Sequence, residues 1–268
     1  MANSGGTRLA VIQTEPRKGA VEENRDRALA RMAEAPADVY VLPELAFTGY
    51  HFDRPEEIAA LAEPAADGPS GRAVGDFCRK KKAWAVFGLA ESAGGRVFNA
   101  AALWGPTGLV GVYRKIHLFG REKGLFSPGD GPFPVWSLPP GRIGLMICFD
   151  WFFPESMRAL ALAGAQIVLH PANLVLPNCP QAMITRCLEN RVFAATADRV
   201  GEETCGAGTL RFIGQSQILS PRGEVLQRLG TAEGAAVVDV CPAEADDKRL
   251  SSGNDLFAER RPEFYPRG

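Results

Sequence analysis

The feature that most restricts this chain is a rhythm, in which short apolar segments alternate with longer stretches of helical periodicity. LAVIQ gives way to VEENRDRALARMAEA, ADVYVLPE to PSGRAVGDFCRKKK, and that in turn to AWAVFGLAE. Apolar runs of about four to eight residues bounded by turn signals suit buried strands, and the amphipathic stretches between them suit helices. Such a chain folds as α/β. VFNAAALWG and LVGVYRK, separated by the turn PTG, predict a hairpin, so the sheets must be mixed.

The second half repeats the style. RIGLMIC leads into a helix from about Pro154 to Ala165, then QIVLHPA, a helix over PQAMITRCLENRVF, and AATADRVG. GQSQILSPRGEVLQRLG and GAAVVDV read as a closing antiparallel meander with PRG as a turn. Two similar halves predict two sheets packed face to face with helices outside. No Gly/Ser or Pro-rich linker divides the 268 residues, and a hydrophobic content of 46% supplies a large core. The reading is one domain over 1–268, with a polar arm from about Asp246, either loose or exchanged between chains.

Charge narrows the partners. Lysine and arginine number 30 against 31 acidic residues, a net charge of -1, which gives no basic tract for nucleic acid and no membrane-seeking surface. The longest apolar runs are too short to cross a bilayer. MANSGGTRLAVIQTE has no basic start and no cleavage site, so no secretory leader is expected. Cysteines at 78, 148, 179, 187, 205 and 241 show neither CxxC pairing nor zinc spacing, and read as reduced thiols of a cytoplasmic protein. The expected ligand is a small molecule.

In α/β proteins, reactive groups gather beyond the carboxyl ends of strands. ADVYVLPEL ends in Glu44, LVGVYRKIHLF carries Lys115 and RIGLMICFD ends in Cys148, each a titratable residue after an apolar run. Taken singly, Glu44 reads as a turn or cap, Lys115 as a solvated strand end and Cys148 as a small buried hydrophobe. Taken together they supply a carboxylate to accept the S–H proton, a fixed cation for developing negative charge, and the sulfur nucleophile. A nearby Lys115 would favour the thiolate, and the Phe149 N–H just past the sulfur would be a second oxyanion donor. A Cys-His hydrolase using His117 or His170 with Cys148 is a rival arrangement. A binding or scaffold protein that keeps the fold without the chemistry is a third.

PELAFTGY, YRKIHLFGREKGLFSPGD and GLMICFDWFFPESMRALALAGA resemble the three motifs of the nitrilase superfamily, the carbon–nitrogen hydrolases with a Glu-Lys-Cys triad. HPAN, LENRVF, DRVG and GQSQILSPRGEV fit its later segments, so the resemblance covers nearly the whole chain. It implies a four-layer αββα sandwich of two mixed sheets that forms a homodimer through its helices, or a higher oligomer. It also implies roles: Glu44 as general base, Lys115 as transition-state stabiliser, Cys148 as nucleophile, and Glu122 as a second glutamate that orients the site. Glu122 otherwise reads as a loop carboxylate paired with Arg121 or Lys123. No metal or organic cofactor is implied.

The same resemblance bears on substrate. Family nitrilases carry Cys-Trp-Glu at the nucleophile, whereas this chain reads Cys-Phe-Asp, the form of amidases and carbamoylases. Carbamoylases place an arginine soon after the cysteine, where this chain has Trp151, Phe152 and Phe153, which disfavours anionic substrates. The implied substrate is a small aliphatic amide, with a small aliphatic nitrile as the alternative because the aromatic run resembles members acting on nitriles. Phe149, Trp151, Tyr50 and Asn173 are the pocket residues expected by position.

Overall fold

A computed structural model describes residues 6–265. The first five residues, part of the segment read as lacking a leader, and the last three of the C-terminal arm lie outside that range. The chain runs β1 (Thr7–Gln13), α1 (Val21–Glu34), β2 (Val39–Val41), α2 (Pro55–Ala59), α3 (Pro69–Lys81), β3 (Trp84–Ala93), β4 (Arg96–Gly105) and β5 (Gly108–Arg114). It continues through α4 (Glu122–Leu125), β6 (Val135–Leu138), β7 (Gly141–Leu145), α5 (Pro154–Leu162), β8 (Ile167–Pro171), α6 (Cys179–Asn190) and β9 (Phe193–Ala197). A ribbon of β10 (Glu202–Cys205) and β11 (Gly208–Arg211) precedes β12 (Gln217–Leu219), β13 (Val225–Arg228) and β14 (Gly234–Val240).

Two six-stranded mixed sheets result, in the orders β14-β1-β2-β3-β4-β5 and β13-β12-β9-β8-β7-β6. Side-chain alternation builds the layers. Leu9, Val11, Val39, Val41, Val86, Ala101 and Leu103 point into a core shared with Ile143, Leu145, Ile167, Leu169 and Ala195 of the second sheet. Their neighbours Ala10, Ile12, Tyr40, Leu42, Phe87 and Ala102 point the other way, against Ala28 and Met32 of α1 and Val74 and Cys78 of α3. Met157 and Leu160 of α5 and Met183 and Cys187 of α6 cover the second sheet. Burial on both faces explains why these strands read as continuous apolar runs instead of alternating ones. The predicted αββα sandwich and the β4–β5 hairpin are both present.

The closing meander is not. β12 and β13 pair in the second sheet, but β14 crosses to the first and runs antiparallel to β1, from Thr7 opposite Val240 to Gln13 opposite Gly234. Without it, the seven-residue outer edge of β1 would be left unpaired, which is costly for a buried strand. Gln13 pins the crossing: its Nε2 donates to Gly230 O at 2.9 Å and Ala232 O at 2.7 Å, and its Oε1 accepts from Ser216 N at 2.9 Å. Periodicity identifies β14 as a strand but carries no information on its neighbour.

Two helix ends also differ from expectation. α5 stops at Leu162 instead of Ala165, with Gly164 at φ +90° leading into β8. α6 stops at Asn190, where Arg191 takes a left-handed φ of 50°, and of the VF read as helical, Val192 is a link and Phe193 opens β9. Beyond Asp246 the arm folds back as a small hairpin of β15 (Arg249–Ser251) and β16 (Asn254–Asp255). Lys248 Nζ donates to the carbonyls of Asn190 and Arg191 at 3.0 and 2.9 Å, fastening the arm to the end of α6. Among the described residues no helix is long and apolar enough to cross a membrane.

Candidate active site

The ends of β2, β5 and β7 converge, and each delivers one side chain. Past β2, Leu42 and Pro43 lead to Glu44, with Leu45 bent to φ 46°. This bend is seated on β3, where Gly88 N donates to Pro43 O at 3.0 Å and Gly88 O accepts from Ala46 N at 2.9 Å. Only glycine fits there, because a Cβ on residue 88 would stand 2.4 Å from both Glu44 Cα and Leu45 N. Lys115 follows β5 directly, its N–H bonded to Asn99 O of β4 at 2.8 Å. Glu122 opens α4.

All three charges are buried together. Lys115 Nζ donates to Glu44 Oε1 at 2.7 Å and to Glu122 Oε1 at 2.8 Å. Asn99 Nδ2 donates to Glu44 Oε1 at 2.6 Å, the Tyr50 hydroxyl to Glu122 Oε1 at 2.7 Å, and Phe119 N–H to Glu122 Oε2 at 3.2 Å. Burial alone would lower the Lys115 pKa, but the neighbouring carboxylates of Glu122 and Glu44 overturn that, so the ammonium stays charged. Burial raises the Glu44 carboxyl above the usual range; Lys115 opposes this and the Glu122 charge adds to it. Glu44 Oε2 has no hydrogen-bond partner among the described residues. It is an open acceptor position inside a buried cluster.

Cys148 begins a 3₁₀ turn, Cys148–Phe152, after Met146 and Ile147 beyond β7. Its φ of 39° is a left-handed value costly for a residue with a Cβ, and such strain persists only where surroundings enforce it. Asp150 is the enforcer: Oδ2 accepts from Ile147 N at 2.8 Å and from the Tyr113 hydroxyl at 2.8 Å, and Oδ1 pairs with His117 Nδ1 at 2.8 Å. The sulfur is hydrogen-bonded to Asn173 O at 3.8 Å, and Phe149 N–H has no acceptor among the described residues. Burial, then the negative charge of Glu44, push the thiol well above its ordinary range, and Lys115 only partly offsets them. Lys115 acts in the direction expected of it, toward the thiolate, but burial and the Glu44 charge outweigh it, because its ammonium is also paired with two carboxylates.

Cys148 lines a cavity of about 50 Å³ together with Phe119, Phe149, Trp151, Asn173, Leu174 and Leu176, among others. Among the described residues no charged side chain lines it. The Asn173 side-chain amide is buried, with neither Oδ1 nor Nδ2 hydrogen-bonded among the described residues.

The sequence profile described as carbon-nitrogen hydrolase matches residues 8–249. The chain belongs to the carbon–nitrogen hydrolase family. Among its curated relatives is a protein named nitrilase from Pyrococcus abyssi, 44% identical over 262 residues that cover 96% of this chain and 98% of that one. An (R)-stereoselective amidase from a Pseudomonas species is 34% identical, over 87% of this chain and 84% of its own. Among solved structures, a substituted amidase from Nesterenkonia sp. AN1, with the acetamide moiety of fluoroacetamide added covalently at its active-site cysteine, superposes with a TM-score of 0.79. It is 28% identical and covers 97% of this chain, which covers 96% of it.

In this carbon–nitrogen hydrolase, Glu44, Lys115, Glu122 and Tyr50 form one hydrogen-bonded cluster, and Cys148, Phe149, Trp151 and Asn173 line one cavity beside it. Glu122 is not the surface partner of Arg121 or Lys123. Tyr50 bonds Glu122 at the edge of the cluster and is not among the residues that line the cavity. The rival histidines are otherwise engaged. His170 Nε2 faces the carbonyl of Cys148 at 3.0 Å and Nδ1 the Thr196 hydroxyl at 3.0 Å; burial lowers its pKa to about 4. His117 is stacked on Phe153 at 3.7 Å and bonded to Asp150. Neither is hydrogen-bonded to the sulfur.

Sequence reasoning passed over Asn99, Gly88 and Asp198. Asn99 had a visible signal, a lone amide inside VFNAAALWG, and Asp198 had one in the carboxylate after AATA. Asp198 Oδ1 accepts from Leu174 N at 2.7 Å, fixing the cavity wall, while Oδ2 has no partner among the described residues. Burial drives its carboxyl well above the usual range. Gly88 had no local signal, because its necessity arises from a neighbour distant in sequence.

Proposed function

We propose that the chain hydrolyses small, neutral aliphatic amides to the carboxylic acid and ammonia through a thioester on Cys148. The observation that carries this reading is the open, buried Glu44 Oε2 beside a charged Lys115 and a thiol held at positive φ in the lining of an apolar cavity. Because the resting sulfur is protonated, Glu44 takes the S–H proton as Sγ attacks the amide carbon. Lys115 Nζ and the Phe149 N–H receive the oxyanion. Losing one such donor typically costs about 3 kcal/mol of barrier. The C–N bond then breaks, Glu44 passes its proton to the departing ammonia, and the thioester remains. Water enters, gives a proton to Glu44 and attacks the acyl carbon; the proton returns to sulfur as the acid leaves. Glu122, held by Tyr50, keeps Lys115 in place, and the unpaired Asn173 amide offers the substrate amide a donor and an acceptor. Trp151 and Phe149 shape the acyl pocket.

With no charged lining residue, the cavity would leave a substrate carboxylate unpaired, a costly burial. A nitrile is the second reading, favoured by the 44% identical relative named nitrilase; the first adduct would then be a thioimidate.

The shared intersheet core supports a single domain with an arm from about Asp246. Leu162 and Leu188, exposed on α5 and α6, support a homodimer through those helices. Six unpaired thiols support a reducing, cytoplasmic setting. The test is ammonia release from matched short amides and nitriles and from an amide bearing a second, anionic carboxylate, by native protein and by Cys148→Ala with its fold checked by circular dichroism. Release from neutral amides alone, abolished in the variant, is expected. Release from nitriles would install the second reading, and a variant equal to native would overturn both.

A further inference from the structure

Glu203 lies on β10, in the ribbon outside both large sheets, yet only 5% of it is exposed. Its Oε2 accepts from the backbone N–H of Tyr50 at 2.9 Å and of His51 at 2.7 Å. Its Oε1 accepts from Nη1 of Arg199, itself 1% exposed, whose Nη2 donates to Pro16 O at 2.9 Å. The Arg199 guanidinium stands 4.1 Å over the Phe212 ring, and Phe212 meets the Tyr50 ring edge-on at 5.9 Å. Gly49 permits this approach: at φ +83° it has no side chain where a Cβ would stand 2.8 Å from Glu203 Oε1. Both the backbone and the ring of Tyr50 are thereby held, and its hydroxyl reaches the same Glu122 oxygen that Lys115 binds.

A buried ion pair is weak evidence for stability, since desolvating two charges offsets much of their attraction. Its value here is geometric. We propose that Arg199 and Glu203 form a positioning pair that sets the Tyr50 hydroxyl against Glu122 and so fixes the Lys115 ammonium. Neither residue lines the cavity, so both act through Tyr50. The kinetic consequence rests on the amide-hydrolase reading above; the geometric one does not.

The test is a double-mutant cycle over Glu203→Gln and Tyr50→Phe with two readouts. One is kcat and KM for butyramide; the other is the rate of iodoacetamide alkylation at Cys148, followed by mass spectrometry of its peptide. E203Q is expected to lower kcat about ten-fold with KM changed less than about two-fold, and to have no further effect in the Y50F background. Alkylation is expected to slow in the same non-additive pattern. Equal fold-losses from E203Q in both backgrounds would overturn the proposal. If the native protein turns over no amide, the functional reading fails alone and the alkylation cycle still decides. Should E203Q fail to fold with Arg199 left unpaired, Arg199→Met with Glu203→Gln removes both charges. The same criterion applies: any loss caused by the neutral pair must vanish in the Y50F background.

Discussion

Replacing Gly88 with alanine is the sharpest test of how the site is assembled. A Cβ at this position would lie 2.4 Å from Glu44 Cα and Leu45 N, and both obstacles are backbone atoms that cannot rotate away. Restoring an ordinary carbon contact of about 3.5 Å requires moving the Glu44 segment by roughly 1 Å. That segment carries the proposed base, hydrogen-bonded to Asn99 at 2.6 Å and Lys115 at 2.7 Å, with no slack in either bond. A misplacement of about 1 Å costs on the order of 100-fold in rate, while overpacking a core costs about 1–3 kcal/mol. For a chain of this size that loss lowers Tm by roughly 2–12 °C. Gly88→Ala is therefore expected to stay folded at 25 °C, by circular dichroism and a thermal melt, while kcat on a short amide falls about 100-fold. A folded variant within about two-fold of native kcat would refute the claim that this close approach sets the position of Glu44.

Two further predictions concern groups around the cluster. His170→Gln removes the ring that faces the nucleophile's carbonyl; under the Glu-Lys-Cys scheme kcat falls less than about ten-fold, whereas loss of a catalytic base would cost 10²-fold or more. Because the His170 pKa is lowered to about 4, the pH–rate profile of the native protein should carry no limb from this ring near neutrality. Asp198→Asn tests the buried carboxyl. Its folded-state pKa lies above the unfolded value of about 3.9, so the native state keeps a proton that the unfolded chain releases, and stability declines as pH rises through that window. The variant abolishes this slope, so its Tm relative to native should be higher at pH 8 than at pH 5; an equal difference at both would count against the assignment.

What the sequence determined is what depends on local pattern. Apolar runs and amphipathic stretches marked strands and helices, because side-chain period follows backbone geometry. Glu44, Lys115 and Cys148 stood out because a titratable group at the end of a buried strand is unexpected. Motif resemblance then added Glu122, whose four-residue helix gives no such signal. What tertiary structure alone decided depends on residues distant in the chain. β14 joined β1 because a long buried edge needed a partner, and nothing in GAAVVDV encodes which edge. The Cys148 thiol is pushed above its ordinary range because burial and the Glu44 charge act together on it, a balance of distances that no spacing reveals. Gly88 and Glu203 matter only through Glu44 and Tyr50, tens of residues or more away in sequence. Their importance exists only once the chain has closed.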